Sequence, residues 1–254
     1  NITNISGENW YDNCTYVTLT APEFVPNATG VNGQRYRFAN WTVNGGVFTT
    51  LNITVHMDAN KTATAHYILQ YLVTFNQTGL DGTANSTVVT VNGVPKNFSN
   101  LPFSDWFDNS SSITYVYSNV SSTTSGKRFR LDSISSPPSP FTVTGPVTIT
   151  GNYKTQYEVT FDQSGVGTDY TGTVVTIDGT GYGVGNLSKS FWWDSGTNHS
   201  FSFASPLVVN AGKQYNWTYT SGLSTLQSGT LTITGSGSVT GYYSTGIKYQ
   251  ITFN

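Results

Sequence analysis

Charge is what this sequence most lacks. Asp, Glu, Lys and Arg make up 9% of its 254 residues, against about 25% in an ordinary globular protein. Solubility must therefore come from Ser, Thr, Asn, Gly and Tyr, a balance found in β-rich extracellular proteins and unsuited to long surface helices. A formal net charge of −2 leaves no basic patch for nucleic acid and no polybasic membrane anchor. Only one cysteine, Cys14, is present, so no disulfide can form within the chain; Cys14 is a small free thiol or pairs with another chain. No apolar run reaches eighteen residues, which excludes a helical membrane span. A basic-then-apolar leader is also missing, and an opening Asn is expected of a processed or excised product.

Catalytic chemistry is equally scarce. His56, His66 and His199 are scattered without a carboxylate or cysteine at ligand spacing, as satisfied or solvent-facing imidazoles would be. Asp12, Asp108 and Asp194 each follow an aromatic pair and open a turn, where an Asp side chain can bond the backbone two residues on. "GTGYGVG" (179–185) reads as a flexible hairpin, "DQSGVG" (162–167) and "NGG" (44–46) as turns, none of them a phosphate loop. No catalytic, cofactor-binding or metal-binding residues are assigned, and no cofactor; the expectation is a protein that is not an enzyme.

What the chain does have is repetition. An offset of 86 residues, as from Tyr71 to Tyr157, superposes the middle and last thirds. Tyr71, Val73 and Phe75 fall on Tyr157, Val159 and Phe161; "TVVTVNG" (87–93) on "TVVTIDG" (173–179); "WFD" (106–108) on "WWD" (192–194); and "GKRFRL" (126–131) on "GKQYNW" (212–217). The first third is a shorter relative, with "WYD" (10–12), "GQRYRFANW" (33–41) and "KTATAHY" (61–67) in the same order. It lacks the "YxVTF" that opens the other two. Lys127 and Lys213 recur relative to Asp108 and Asp194, as suits a salt bridge across a sandwich or a Lys-Asp or Lys-Asn isopeptide crosslink.

Period-two alternation runs through "YLVTF", "STVVTVNG", "ITYVYS" and "TLTITGSGSVTGYY", bounded by Gly, Pro and Asn. With no convincing helix, this predicts an all-β protein of three tandem immunoglobulin-like sandwiches, each of six or seven strands. The boundaries are 1–69 for an incomplete sandwich, 70–155 and 156–246 for two full repeats, and 247–254 for a C-terminal strand. Trp41, Trp106, Trp192, Trp193 and Trp217 are expected in the cores; an exposed sugar-stacking strip is the other reading.

"NWYDNCTYVTLTAP…GQRYRFANWTVNGG…ITVHMDANKTATAHY" resembles the divergent B-repeat of bacterial internalin-type and archaeal surface proteins. The two later units are similar to tandem repeats of secreted and surface-layer-associated archaeal proteins. The resemblance implies an extracellular, cell-surface, archaeal repeat protein and names no activity. Asn-x-Ser/Thr acceptors at Asn1, Asn4, Asn13, Asn27, Asn40, Asn52, Asn60, Asn76, Asn85, Asn97, Asn109, Asn119, Asn186, Asn198 and Asn216 favour covalent N-linked glycans.

The internalin-type repeat opens with a strand that the first unit does not have, while "KYQITFN" (248–254) is such a strand with no repeat after it. Lys248, Tyr249, Gln250, Ile251, Thr252, Phe253 and Asn254 would form a donor strand, with Tyr249, Ile251 and Phe253 on its apolar face. From alternation, Val17, Leu19, Tyr36, Phe38 and Trp41 would line the acceptor groove. Head-to-tail addition between identical subunits gives an open filament, an assembly that resembles donor-strand-complemented pilins. The expected function is adhesion, cell-cell contact or biofilm scaffolding. Two other readings stand beside it: a segment of a longer S-layer or adhesin stalk protein, and a carbohydrate-binding module of a secreted enzyme.

Overall fold

The computed structural model describes residues 9–26, 30–135 and 137–253. Regular structure among them is strand, apart from single 3-10 turns at Phe98–Asn100 and Val184–Asn186, so the all-β expectation holds. The chain divides into two compact units. One comprises Asn1–Gln77, Val89–Val116 and Ile134–Gly151; the other comprises Thr78–Val88, Tyr117–Ser133 and Asn152–Asn254.

The second unit contains the clearest sandwich. One layer is the four-stranded sheet of Thr180–Tyr182, Val175–Ile177, Asn198–Phe203 and Ser228–Thr232. In the other, the distal part of Val147–Ser164 lies between Lys189–Asp194, antiparallel, and Gly237–Ile247, parallel; Lys213–Gly222 and Leu207–Asn210 follow. Alternation explains the layering. Val159 and Phe161 point inward and are fully buried, whereas Thr160 between them faces out, its hydroxyl 2.8 Å from that of Ser190 on the next strand. Phe161 meets Phe191, Trp193 and Phe201 in the core.

In the first unit, Phe24–Pro26, Gln34–Val43 and Ala63–Thr78 pair antiparallel, and Phe103–Asp108 pairs with Ala63–Thr78 from Gln70 to Phe75. Among the described residues, Tyr16–Thr20 pairs only with Asn52–His56. Ala21, Phe38, Trp41, Ile53 and Val55 form a small core there. Asn44-Gly45 and Asn92-Gly93 here, and Asp178-Gly179 in the second unit, have positive φ at both positions. Such dipeptides make the two-residue turns whose twist suits a hairpin. The segment 179–185, expected as a hairpin, contains the outgoing strand of one, Thr180–Tyr182.

Gly165 ends the parallel strand with φ +98, and a side-chain carbon there would lie 2.1 Å from the Tyr243 carbonyl oxygen. Gly79 repeats the arrangement with the Tyr153 carbonyl. The chain can turn away from the strand beside it only where no Cβ exists.

Candidate functional site

The recurring Asp of "WxD" is the place to start, because the structure gives it two partners the sequence did not show. Asp194 stands directly opposite Gln156 on the first strand of the last repeat. Gln156 Nε2 donates to Asp194 Oδ1 at 2.7 Å and Arg130 Nη2 to Oδ2 at 2.9 Å, while Arg128 Nε donates to Gln156 Oε1 at 2.8 Å. The Arg128 guanidinium also lies 4.3 Å over the Trp192 ring. In the first unit the same cluster recurs. Gln70 stands opposite Asp108 and donates to it at 2.8 Å, Arg37 donates to Asp108 at 2.9 Å, Arg35 to Gln70 at 2.8 Å, and Arg35 covers Trp106 at 4.5 Å.

Hydrogen bonding from Arg130, working against burial and aided by Gln156, holds the Asp194 carboxyl below the usual range. Burial pushes Asp108 up, but Arg37 and Gln70 outweigh it and leave that carboxyl low as well. These acids are thus structural anions, each held by a guanidinium and an amide. The expected turn is present, but the main-chain carbonyl closes it: Thr197 Oγ1 donates to Asp194 O at 2.7 Å and Ser111 N to Asp108 O at 3.0 Å.

Asp12 makes the same turn, with Thr15 Oγ1 donating to its carbonyl at 2.7 Å. The left-handed residue at its tip is Cys14, where Asp108 has Ser110 and Asp194 has Gly196. What differs is the surroundings. Trp10 to Asp12 form no strand, Trp10 is 96% exposed, and the Asp12 carboxylate has no partner among the described residues. An open depression lined by Trp10, Tyr11, Asp12, Thr15 and Tyr16 lies alongside.

Among the described residues, the main sheet of the first repeat has one strand fewer at the corresponding place. In the second unit, Gly237–Ile247 pairs with Lys213–Gly222 on one edge and with the opening strand, Val159 to Ser164, on the other. In the first unit, Ala63–Thr78 pairs with Gln34–Val43 from Ala63 onward, but Phe103–Asp108, on the opposite edge, reaches no further back than Gln70. Leu19 and Tyr36 are half-buried, whereas Phe201 and Tyr215, at their places in the last repeat, are 4% and 3% exposed.

The proposed groove residues therefore divide. Val17, Leu19 and Tyr36 are partly exposed, Leu19 packing beside the small core. Phe38 and Trp41 are already inside it, Trp41 with its Nε1 donating to the Leu51 carbonyl at 3.2 Å. At the other end, Tyr249, Ile251 and Phe253 are 89%, 75% and 90% exposed and lie outside any strand. Lys248, Gln250 and Thr252 are exposed too, while Asn254 lies outside the described residues.

The tryptophans also divide. Trp41 is core, and Trp193 and Trp217 pack against the core of the last repeat. Trp106 and Trp192 lie instead under arginines, where sequence had placed them in the interior. Lys127 and Lys213 do form salt bridges, with Asp81 at 2.5 Å and Asp169 at 2.7 Å and not with Asp108 or Asp194. His199 is satisfied: Nδ1 lies 2.7 Å from Asp178 Oδ2 and the ring stacks on Trp193. No group of three metal ligands occurs among the described residues.

Of the sequon asparagines, Asn13, Asn52, Asn60, Asn85, Asn97, Asn109, Asn119, Asn186 and Asn198 are exposed; Asn40, Asn76 and Asn216 are half-buried. Asn1, Asn4 and Asn27 lie outside the described residues. No helix among the described residues is long and apolar enough to cross a membrane. No protein-family model and no curated protein matches the chain.

Proposed function

We propose that the protein is the structural subunit of a glycosylated extracellular filament, in which residues 248–254 of one copy complete the first repeat of the next. The three repeats are immunoglobulin-like modules in tandem, and the polymer serves adhesion, cell-cell contact or biofilm scaffolding at an archaeal cell surface. What carries the reading is a mismatch between equivalent residues. Ile251 and Phe253 are open to solvent, whereas Val159 and Phe161, their counterparts in "QYEVTFD", are fully buried; Tyr249 is open too, and its counterpart Tyr157 is half-buried.

Burying three such side chains contributes roughly 1.5–3 kcal/mol each, with a main-chain ladder in addition. An apolar strand left open is an aggregation hazard unless it has a destination. Among the described residues, the first repeat leaves the edge of Ala63–Thr78 opposite Gln34–Val43 without a ladder before Gln70, and that edge supplies a destination of matching chemistry. Because tail and groove are different surfaces, the contact is heterologous and propagates as an open polymer.

The experiment is electron microscopy of purified native material, with density traced through residues 246–254. Finding Tyr249, Ile251 and Phe253 inside the first repeat of a neighbouring copy is the expected result. Density running on into a further covalently linked repeat would sink it in favour of a longer surface array.

A further inference from the structure

The joint between copies is not a plain copy of the joints within the chain. At the inner joints the acid of "WxD" meets Gln70 or Gln156 and is neutralised by Arg37 or Arg130 of the preceding repeat. In the last repeat those arginine places are taken by Gln214 and Asn216. They bond each other, Nε2 to Oδ1 at 2.8 Å, and Gln214 Oε1 is buried without a partner among the described residues. This repeat therefore offers no cation to a following acid.

The spacing changes with it. Gln70 lies directly opposite Arg35, but the residue opposite Gln214 is Gly246. Tyr67 and Tyr153 each precede their glutamine by two intervening residues, whereas four separate Tyr243 from Lys248. Two extra residues carry the following strand about 7 Å farther along while keeping the same side chains on the same face. An acid docked there is beyond the reach of side chains at positions 214 and 216.

The tail itself supplies the charge. When "KYQITF" is aligned on "QYEVTF", Lys248 takes the place of Gln156. The observed pairs Gln156 with Asp194, Tyr157 with Trp193, and Glu158 with Trp192 then become Lys248 with Asp12, Tyr249 with Tyr11, and Gln250 with Trp10. Lys248 and Asp12 are both exposed and both lack an ionic partner among the described residues.

Building on the filament reading, we infer that Lys248 of one copy pairs with Asp12 of the next, and that this ion pair sets the register of the intermolecular joint. The substitution pattern discriminates as well as attracts. A tail cation facing an acid that has no arginine neighbour is satisfied only at the head of another copy, because Asp108 and Asp194 already hold an arginine and a glutamine each. The occupant of the open first repeat is thus the 248–253 segment of a second copy of this chain.

The test measures association of full-length protein by sedimentation equilibrium, with circular dichroism to verify the fold of each variant. Lys248→Glu and Asp12→Lys, each placing like charges face to face, should weaken association about tenfold or more. The double variant, with the pair inverted, should return to within about threefold of the starting protein. If the single variants associate normally while Ile251→Asp abolishes association, the ion pair is refuted and the donor strand stands. If Ile251→Asp and Phe253→Asp also change nothing, or the chain does not associate, both readings fall together.

Discussion

Gly165 shows at the scale of one residue how little freedom the chain has where it leaves its parallel strand. Alanine there must hold φ near +98 and place a carbon 2.1 Å from a backbone oxygen that a strand ladder holds in place. Gly165→Ala is expected to lower unfolding free energy by roughly 2–4 kcal/mol in urea titration, and a loss under about 0.5 kcal/mol would disprove the contact. Acidic side chains make a second prediction. The Lys127 ammonium, helped by Thr83, holds Asp81 at about 2 against its ordinary 3.8, and Asp108 and Asp194 are lowered as well. A carboxyl depressed in the folded state stabilises it fully above the ordinary value and loses that contribution as pH falls toward the folded one. Melting temperature should therefore fall steeply between about pH 4 and pH 2, and Asp81→Asn should blunt the slope. An unchanged slope in the variant would contradict the assignment.

Among the elements, the opening strands of the repeats provide a direct comparison. Phe161 is fully buried among Phe191, Trp193 and Phe201, so Phe161→Ala should cost about 3–5 kcal/mol of stability. Phe253 holds the same sequence position and is 90% exposed, so Phe253→Ala should leave the melting curve of the isolated subunit where it was. Its effect should appear only in association between copies. Equal destabilisation by the two variants would place Phe253 in its own subunit's core and end the donor-strand reading. The Tyr243 hydroxyl, 3.0 Å from the Ala204 carbonyl, belongs to the same framework. Tyr243→Phe should cost about 1 kcal/mol by removing that part-buried hydrogen bond.

For the whole molecule, the low charge is a property that glycans are proposed to offset. Described sequon asparagines that are exposed cluster in the earlier part of the chain, from Asn13 to Asn119, with Asn186 and Asn198 the later ones. Protein from a glycosylating host should carry N-linked sugars at these sites, read by intact mass and peptide mapping, and should precipitate sooner once they are removed. Unmodified Asn52, Asn60, Asn85 and Asn97 in native material would remove glycosylation from the proposal.

Alternation of Val, Ile, Thr and aromatics with small polar residues was enough to determine an all-β chain and its repeated motifs, and to mark 248–254 as a further copy of the opening motif. Those are local properties, set by the two-residue period of a pleated strand. Tertiary structure alone decided where the charges went, because partners such as Arg130 and Asp194 are 64 residues apart. The same holds for Lys127, whose acid is Asp81, and for Trp106 and Trp192, which lie under arginines and not in a core. Phe38 and Trp41 read as groove residues because alternation marks which face is apolar, not how much of that face a domain covers itself. That depends on how many strands close over it, and in the first repeat the described residues leave one edge open.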